Sequence, residues 1–171
     1  MTSQVRAASE TTPKRRVLPP TYLLLAVVTM VVLHLLVPWR RVIPFPWSFA
    51  GLVPLVLGVI LNLVADADLK RSGTTVKPFE DSSSLVTTGA YRICRNPMYL
   101  GFALILVGLA LLTGSATPFV IVPVFIALVE VTFIRVEERM LEERFGDAWR
   151  SYAARVPRWI GKGDLRRPPL G

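Results

Sequence analysis

The chain has 171 residues, 52% of them hydrophobic, and a formal net charge of +8. Soluble domains rarely join so apolar a composition to so basic a charge, whereas small multi-span membrane proteins with basic flanks do so routinely. A single cysteine, Cys94, and a single histidine, His34, exclude an intrachain disulfide and a Cys/His metal site, and because the basic residues flank apolar runs, nucleic-acid binding is set aside.

Residues 1–20 are polar, include Lys14-Arg15-Arg16, cannot bury a core and are expected to be disordered. Tyr22 to Val37 is apolar apart from Thr29 and His34. A basic stretch before an apolar run resembles a signal peptide, but no small-residue cleavage site follows, so 21–37 reads as an uncleaved first span. Pro44 and Pro46 block helix in the turn after it, and Trp39 and Trp47 bracket that turn as interfacial aromatics do. The second span, 47–65, ends in Asp66, Asp68, Lys70 and Arg71. The polar connection from Ser72 to Asn96 is long enough to point to function or disorder.

The third span, 98–113, is short against ~30 Å of hydrocarbon. Gly114-Ser115-Ala116 turns it into the fourth, 117–136, which Pro123 is expected to kink. Beyond it, Leu141, Phe145, Trp149, Tyr152 and Val156 recur at three- and four-residue spacing. That pattern predicts one amphipathic helix on the membrane surface or over the bundle, ended by Pro157. Residues 161–171 form a basic tail. The expected architecture is all-α: an integral-membrane bundle of about four transmembrane helices within residues 21–160, followed by the amphipathic helix. Every Lys and Arg except Arg40 and Arg41 lies in the N-terminal segment, the long connection or the C-terminal segment, which predicts all three in the cytoplasm. An even number of crossings then brings two polar clusters to one end.

The first cluster is Gly89-Ala-Tyr-Arg-Ile-Cys-Arg-Asn-Pro-Met-Tyr-Leu-Gly101. Pro97 suits a first helical turn, Asn96 can cap it, and the open backbone N–H groups favour an anion. Arg92 and Arg95 either join in holding a carboxylate or phosphate or are membrane-surface anchors. Tyr91 and Tyr99 either line a pocket for a flat ring or cation or belong to an aromatic belt. The second cluster is Glu137-Glu138, whose side chains point about 100° apart on a helix. They can hold an ammonium or ribose hydroxyls, or be a solvated face paired with Arg135 and Arg139. Glu130 lies inside the fourth span, where an acid is costly and marks a functional hypothesis, or else pairs with a basic neighbour. Ordinary helical spacing puts Glu130, Ile134, Glu137 and Leu141 on one face. Cys94 has no activating His nearby in the sequence and reads as a spectator. No Gly-x-Gly-x-x-Gly follows a strand, so a nucleotide-like cofactor would bind without a Rossmann fold.

Thr87 to Gly101, Glu137-Glu-Arg-Met-Leu-Glu-Glu-Arg-Phe-Gly146, Tyr152 and Val156-Pro-Arg-Trp159 together resemble the signatures of the isoprenylcysteine carboxyl methyltransferase and phospholipid methyltransferase superfamily. Gly73-Thr-Thr-Val-Lys-Pro78 is similar to the upstream loop of its small bacterial members. The resemblance implies an integral-membrane methyltransferase using S-adenosylmethionine, with the cofactor at the cytoplasmic end of the bundle under the loop and the C-terminal helix. It carries cofactor contacts onto Leu85, Val86, Tyr91, Asn96, Pro97, Met98, Tyr99, Glu137 and Glu138. The family often has His where this chain has Asn96, which puts any role needing imidazole basicity in question. Glu130 and Arg95 are the candidate catalytic residues. The implied acceptor is lipidic or hydrophobic: an isoprenylcysteine carboxylate, a phospholipid amine or a small thiol. The alternative is a non-methylating protein on the same scaffold, either nicotinamide-dependent and reductase-like or a structural membrane partner.

Overall fold

The computed structural model describes residues 18–37, 40–73 and 84–161. The predicted disorder up to residue 17, Trp39, the loop from residue 74 to Pro78 and the basic tail from residue 162 lie outside them. Among the described residues the only β pairing is an isolated bridge between Arg41 and Ser115, and everything else regular is helical.

Helix α1 spans Pro19–Leu36 and starts on two prolines, where a missing N–H has no helical partner to lose. A 3-10 turn, Trp47–Gly51, leads into α2, Leu52–Arg71, whose final turns carry the charges that close the apolar run. Helix α3, Pro97–Thr113, stops at Gly114 in the left-handed conformation. A 3-10 turn, Thr117–Val120, opens α4, Ile121–Val129. The chain then widens into a π turn, Glu130–Ile134, and resumes as α5, Arg135–Phe145. Helix α6 is Asp147–Arg155. Three stretches, Pro19–Leu36, Trp47–Arg71 and Thr117–Phe145, are long and apolar enough to cross a membrane, and Pro97–Thr113 is a shorter apolar helix. At 1.5 Å per residue, α3 covers about 25 Å.

The core joins α1, α3 and α4 through Met30, Phe102, Leu106, Phe125 and Val129, with Tyr99, Phe133 and Ile134 at its polar end. Leu24, Leu35, Leu57 and Leu63 face outward, as they should where hydrocarbon is the solvent. The 3-10 turn and α2 meet α3 along a seam of glycines seven residues apart, Gly51 and Gly58 against Gly108 and Gly101. A Cβ on Gly58 would lie 2.5 Å from the Gly101 carbonyl oxygen. Only glycine allows backbones this close, and in hydrocarbon that packing replaces the absent hydrophobic drive.

Helical winding continues through Pro123, close to where the 3-10 turn passes into α4, and the chain leaves α winding at the π turn. One predicted feature differs. The predicted single amphipathic helix is two helices, because Gly146 adopts φ +51° between α5 and α6. An L side chain rarely takes that angle, so glycine supplies the corner. Trp149 and Tyr152 are thereby turned inward and buried.

Candidate functional site

The polar ends of α2, α3, α5 and α6 converge. The Ala90 N–H donates to Asp68 Oδ2 at 2.8 Å, which pins the 3-10 turn Gly89–Arg92 to the end of α2. From α6, the Tyr152 hydroxyl donates to the Tyr91 carbonyl at 2.7 Å. Next along the chain, the Arg95 N–H donates to the Pro157 carbonyl at 2.8 Å. Asn96 occupies the cap position of α3 but makes no capping bond. Its Nδ2 reaches instead to the Arg158 carbonyl, 3.2 Å away, so the expected local cap is replaced by a link to the segment after α6. Pro97 and Val86 are buried, while Leu85, Tyr91 and Met98 are half-buried.

The two glutamates divide as adjacent helical residues must. Tyr99 is buried beneath the site with its ring stacked on Phe133, and its hydroxyl donates to Glu137 Oε1 at 2.8 Å. Glu138 looks the other way. Arg158 grips it through Nε (3.1 Å to Oε1) and Nη2 (2.6 Å to Oε2), and Arg95 Nε lies 3.4 Å from Oε1. The Arg95 and Glu138 side chains are only 7% and 12% exposed, so neither is the solvated surface charge that one alternative required. The Arg95 guanidinium also lies 5.7 Å from the centre of the Trp149 ring.

Glu130 is the main departure. Its Oε1 accepts from Arg158 Nη1 at 2.8 Å and its Oε2 from Trp159 Nε1 at 3.0 Å, with Arg135 at 3.7 Å. It therefore joins Glu138, and not Glu137 as α-helical spacing predicts. In an unbroken α-helix residues 130 and 137 lie about 20° apart, and 130 and 138 about 80° apart. The π turn takes up one extra residue, about 100° of rotation, and swings Glu130 onto the face of Glu138.

Beside these groups lies a cavity of about 240 Å³ between α5 and α6. Arg95, Arg135, Arg139, Arg150 and Arg158 line it, and Glu138, Glu142 and Trp149 complete the wall. Arg150 also ties the two helices through Glu142 (3.2 Å) and Asp147 (2.7 Å). Burial pushes the Tyr91 and Tyr152 phenols well above their usual range, so both stay protonated. Burial likewise raises the Cys94 thiol, which suits the inert role assigned to it. Hydrogen bonds to Glu138 hold Arg158 still more firmly in its charged form.

Arg158, Trp159 and Asp68 were missed as site residues. Val156-Pro-Arg-Trp159 had a visible signal, an arginine and an indole just past a helix-ending proline, but its partners are 20 and 28 residues away. Asp68 carried none beyond its place at a helix end.

The fold and the converged clusters thus define an all-α membrane bundle with one charged, arginine-lined site at a single end. Residues 47–148 match the phospholipid methyltransferase family, and the chain belongs to that family. It is 36% identical over 86 residues to the nickel-cobalt-cadmium resistance protein NccN of Alcaligenes xylosoxydans xylosoxydans, covering 50% of this chain and 40% of that one. It is 33% identical over 109 residues to protein-S-isoprenylcysteine O-methyltransferase B of Arabidopsis thaliana, covering 63% and 55%. With the cobalt-zinc-cadmium resistance protein CzcN of Cupriavidus metallidurans it shares 28% identity over 145 residues, covering 78% and 67%. The chain thus spans about half the length of the first two relatives. No solved structure matches it significantly.

Proposed function

We propose that this protein transfers a methyl group from S-adenosylmethionine to a lipidic or hydrophobic acceptor at the cytoplasmic end of its bundle. The observation that carries this reading is the meeting of the Asn96–Tyr99 corner with Glu137-Glu138 beside an arginine-lined cavity, in a member of a methyltransferase family. The charge bias of the sequence supports the cytoplasmic side.

When bound, S-adenosylmethionine supplies a methyl group on a positively charged sulfur whose charge is lost on transfer. The residues fit its zwitterionic end, because guanidinium and carboxylate stand side by side in the cavity. Arg95 would hold the carboxylate by charge-assisted hydrogen bonds, and Glu138, itself held by Arg158, the ammonium. Glu137, oriented by the Tyr99 hydroxyl, would accept from ribose hydroxyls. Leu85, Val86, Tyr91 and Met98 offer apolar and aromatic surface to the adenine, and Asn96 and Pro97 hold the corner that presents them. Such a transfer needs alignment and a dry pocket more than a strong acid or base. Glu130, inside the apolar stretch, would orient an acceptor arriving from the lipid, or take its proton where the acceptor is an amine or a thiol. The names of the family and of the plant relatives favour a phospholipid amine or an isoprenylcysteine carboxylate.

The test is incubation of the purified full chain with membranes and methyl-labelled S-adenosylmethionine, followed by separation of lipid and protein. Label should enter one hydrophobic product. No transfer, combined with preferential binding of a nicotinamide dinucleotide over S-adenosylhomocysteine, would favour the reductase-like alternative. Glu130→Gln should lower turnover or acceptor affinity, and unchanged values for both would reduce Glu130 to a structural role.

A further inference from the structure

The segment after α6, Pro157–Trp159, has no regular secondary structure. It is held to the bundle by polar contacts with three other elements. Its Pro157 and Arg158 carbonyls accept from the start of α3, at Arg95 N and Asn96 Nδ2. Its Arg158 guanidinium bridges Glu130 in the π turn and Glu138 on α5. The bridge has a physical cause. The π turn places two carboxylates on one helix face at the edge of an apolar span, where they would repel each other in a medium of low dielectric. One guanidinium between them satisfies both, because its planar fork can bond two oxygens of one acid while the remaining amine reaches the other. A lysine ammonium lacks that fork.

We propose that Arg158 is a positioning residue of the methyl-donor site. It fixes the Glu138 carboxylate at the cavity, and it docks against the bundle the segment Pro157–Trp159, of which Arg158 lines that cavity. Arg158 lies beyond the stretch that matches the family, residues 47–148. The inference rests on the donor-site reading above.

The experiment is calorimetric titration of S-adenosylhomocysteine into the detergent-solubilised full chain, with amide exchange read at Arg95. That amide reports docking, because its hydrogen bond to the Pro157 carbonyl persists only while the segment stays in place. Arg158→Ala should weaken binding at least tenfold and speed Arg95 exchange at least tenfold. Arg158→Lys keeps the charge without the fork, and should remain at least threefold weaker than wild type. It carries the test where the alanine variant fails to fold. Adding Glu138→Gln to either variant should weaken binding less than twofold further, because Arg158 acts through Glu138. Affinities within twofold of wild type in both Arg158 variants, or losses at 138 and 158 that multiply, would overturn the positioning role. A wild-type chain that binds no S-adenosylhomocysteine would instead remove the donor site itself, and the role with it.

Discussion

The two ends of the bundle are both tied by polar contacts, and they are tied differently. At the hairpin end, His34 Nδ1 and buried Ser115 Oγ share a hydrogen bond of 2.8 Å, and Thr117 Oγ1 donates to the Val37 carbonyl at 2.8 Å. Val42 N and Ile43 N both donate to the Gly114 carbonyl, at 2.8 and 3.1 Å. These bonds involve backbone groups, two hydroxyls and an imidazole, each matched close at hand. At the other end, arginines outnumber the carboxylates around the cavity, and Glu130 and Glu138 each meet more than one cation. The hairpin end resembles a seam that has been closed. The charged end has more cations than acids around a cavity, the arrangement that the proposed donor site requires.

The contrast can be broken most forcefully at Glu138. Glu138→Ala leaves Arg95 and Arg158 facing each other without their shared acid, and should cost about 3 kcal/mol of stability together with methyl transfer. Thermal unfolding in detergent and label incorporation measure the two losses. Gly58→Val drives a side chain into the α3 backbone and should cost about 2 kcal/mol by the same unfolding assay. Its damage should fall on stability, with S-adenosylhomocysteine affinity held in the fraction that stays folded. Tyr99→Phe removes one charge-assisted hydrogen bond from Glu137, and should weaken S-adenosylhomocysteine binding by about 1.5 kcal/mol, roughly tenfold, in a calorimetric titration. Ser115→Ala removes a single neutral bond at the quiet end. It should lower stability by about 1 kcal/mol and leave transfer unchanged. Transfer falling in Ser115→Ala as far as in Tyr99→Phe would erase the distinction between the ends.

Much of the architecture was legible. The apolar runs and their charged stops were visible, and the two clusters expected at one end do meet, through the Tyr99–Glu137 and Arg95–Glu138 contacts. Adjacent glutamates had to diverge, and they do. The register of Glu130 was not legible, because a single residue taken up by a π turn leaves no mark in periodicity and yet redirects a whole face. The Asn96 side chain was read locally as a cap, whereas its partner lies 62 residues away. Gly146 was in plain view inside the amphipathic pattern. The apolar spacing continues across the corner because both halves pack on the same bundle, so the break was hidden by its own consistency.

The glycine seam between α2 and α3 has a mechanical consequence. Where two backbones touch, no rotamer change can open a gap, so these helices behave as a rigid keel. Movement at the charged end is left to α5, α6 and the segment after them, which are tied there by side-chain contacts and by the Arg95–Pro157 backbone bond.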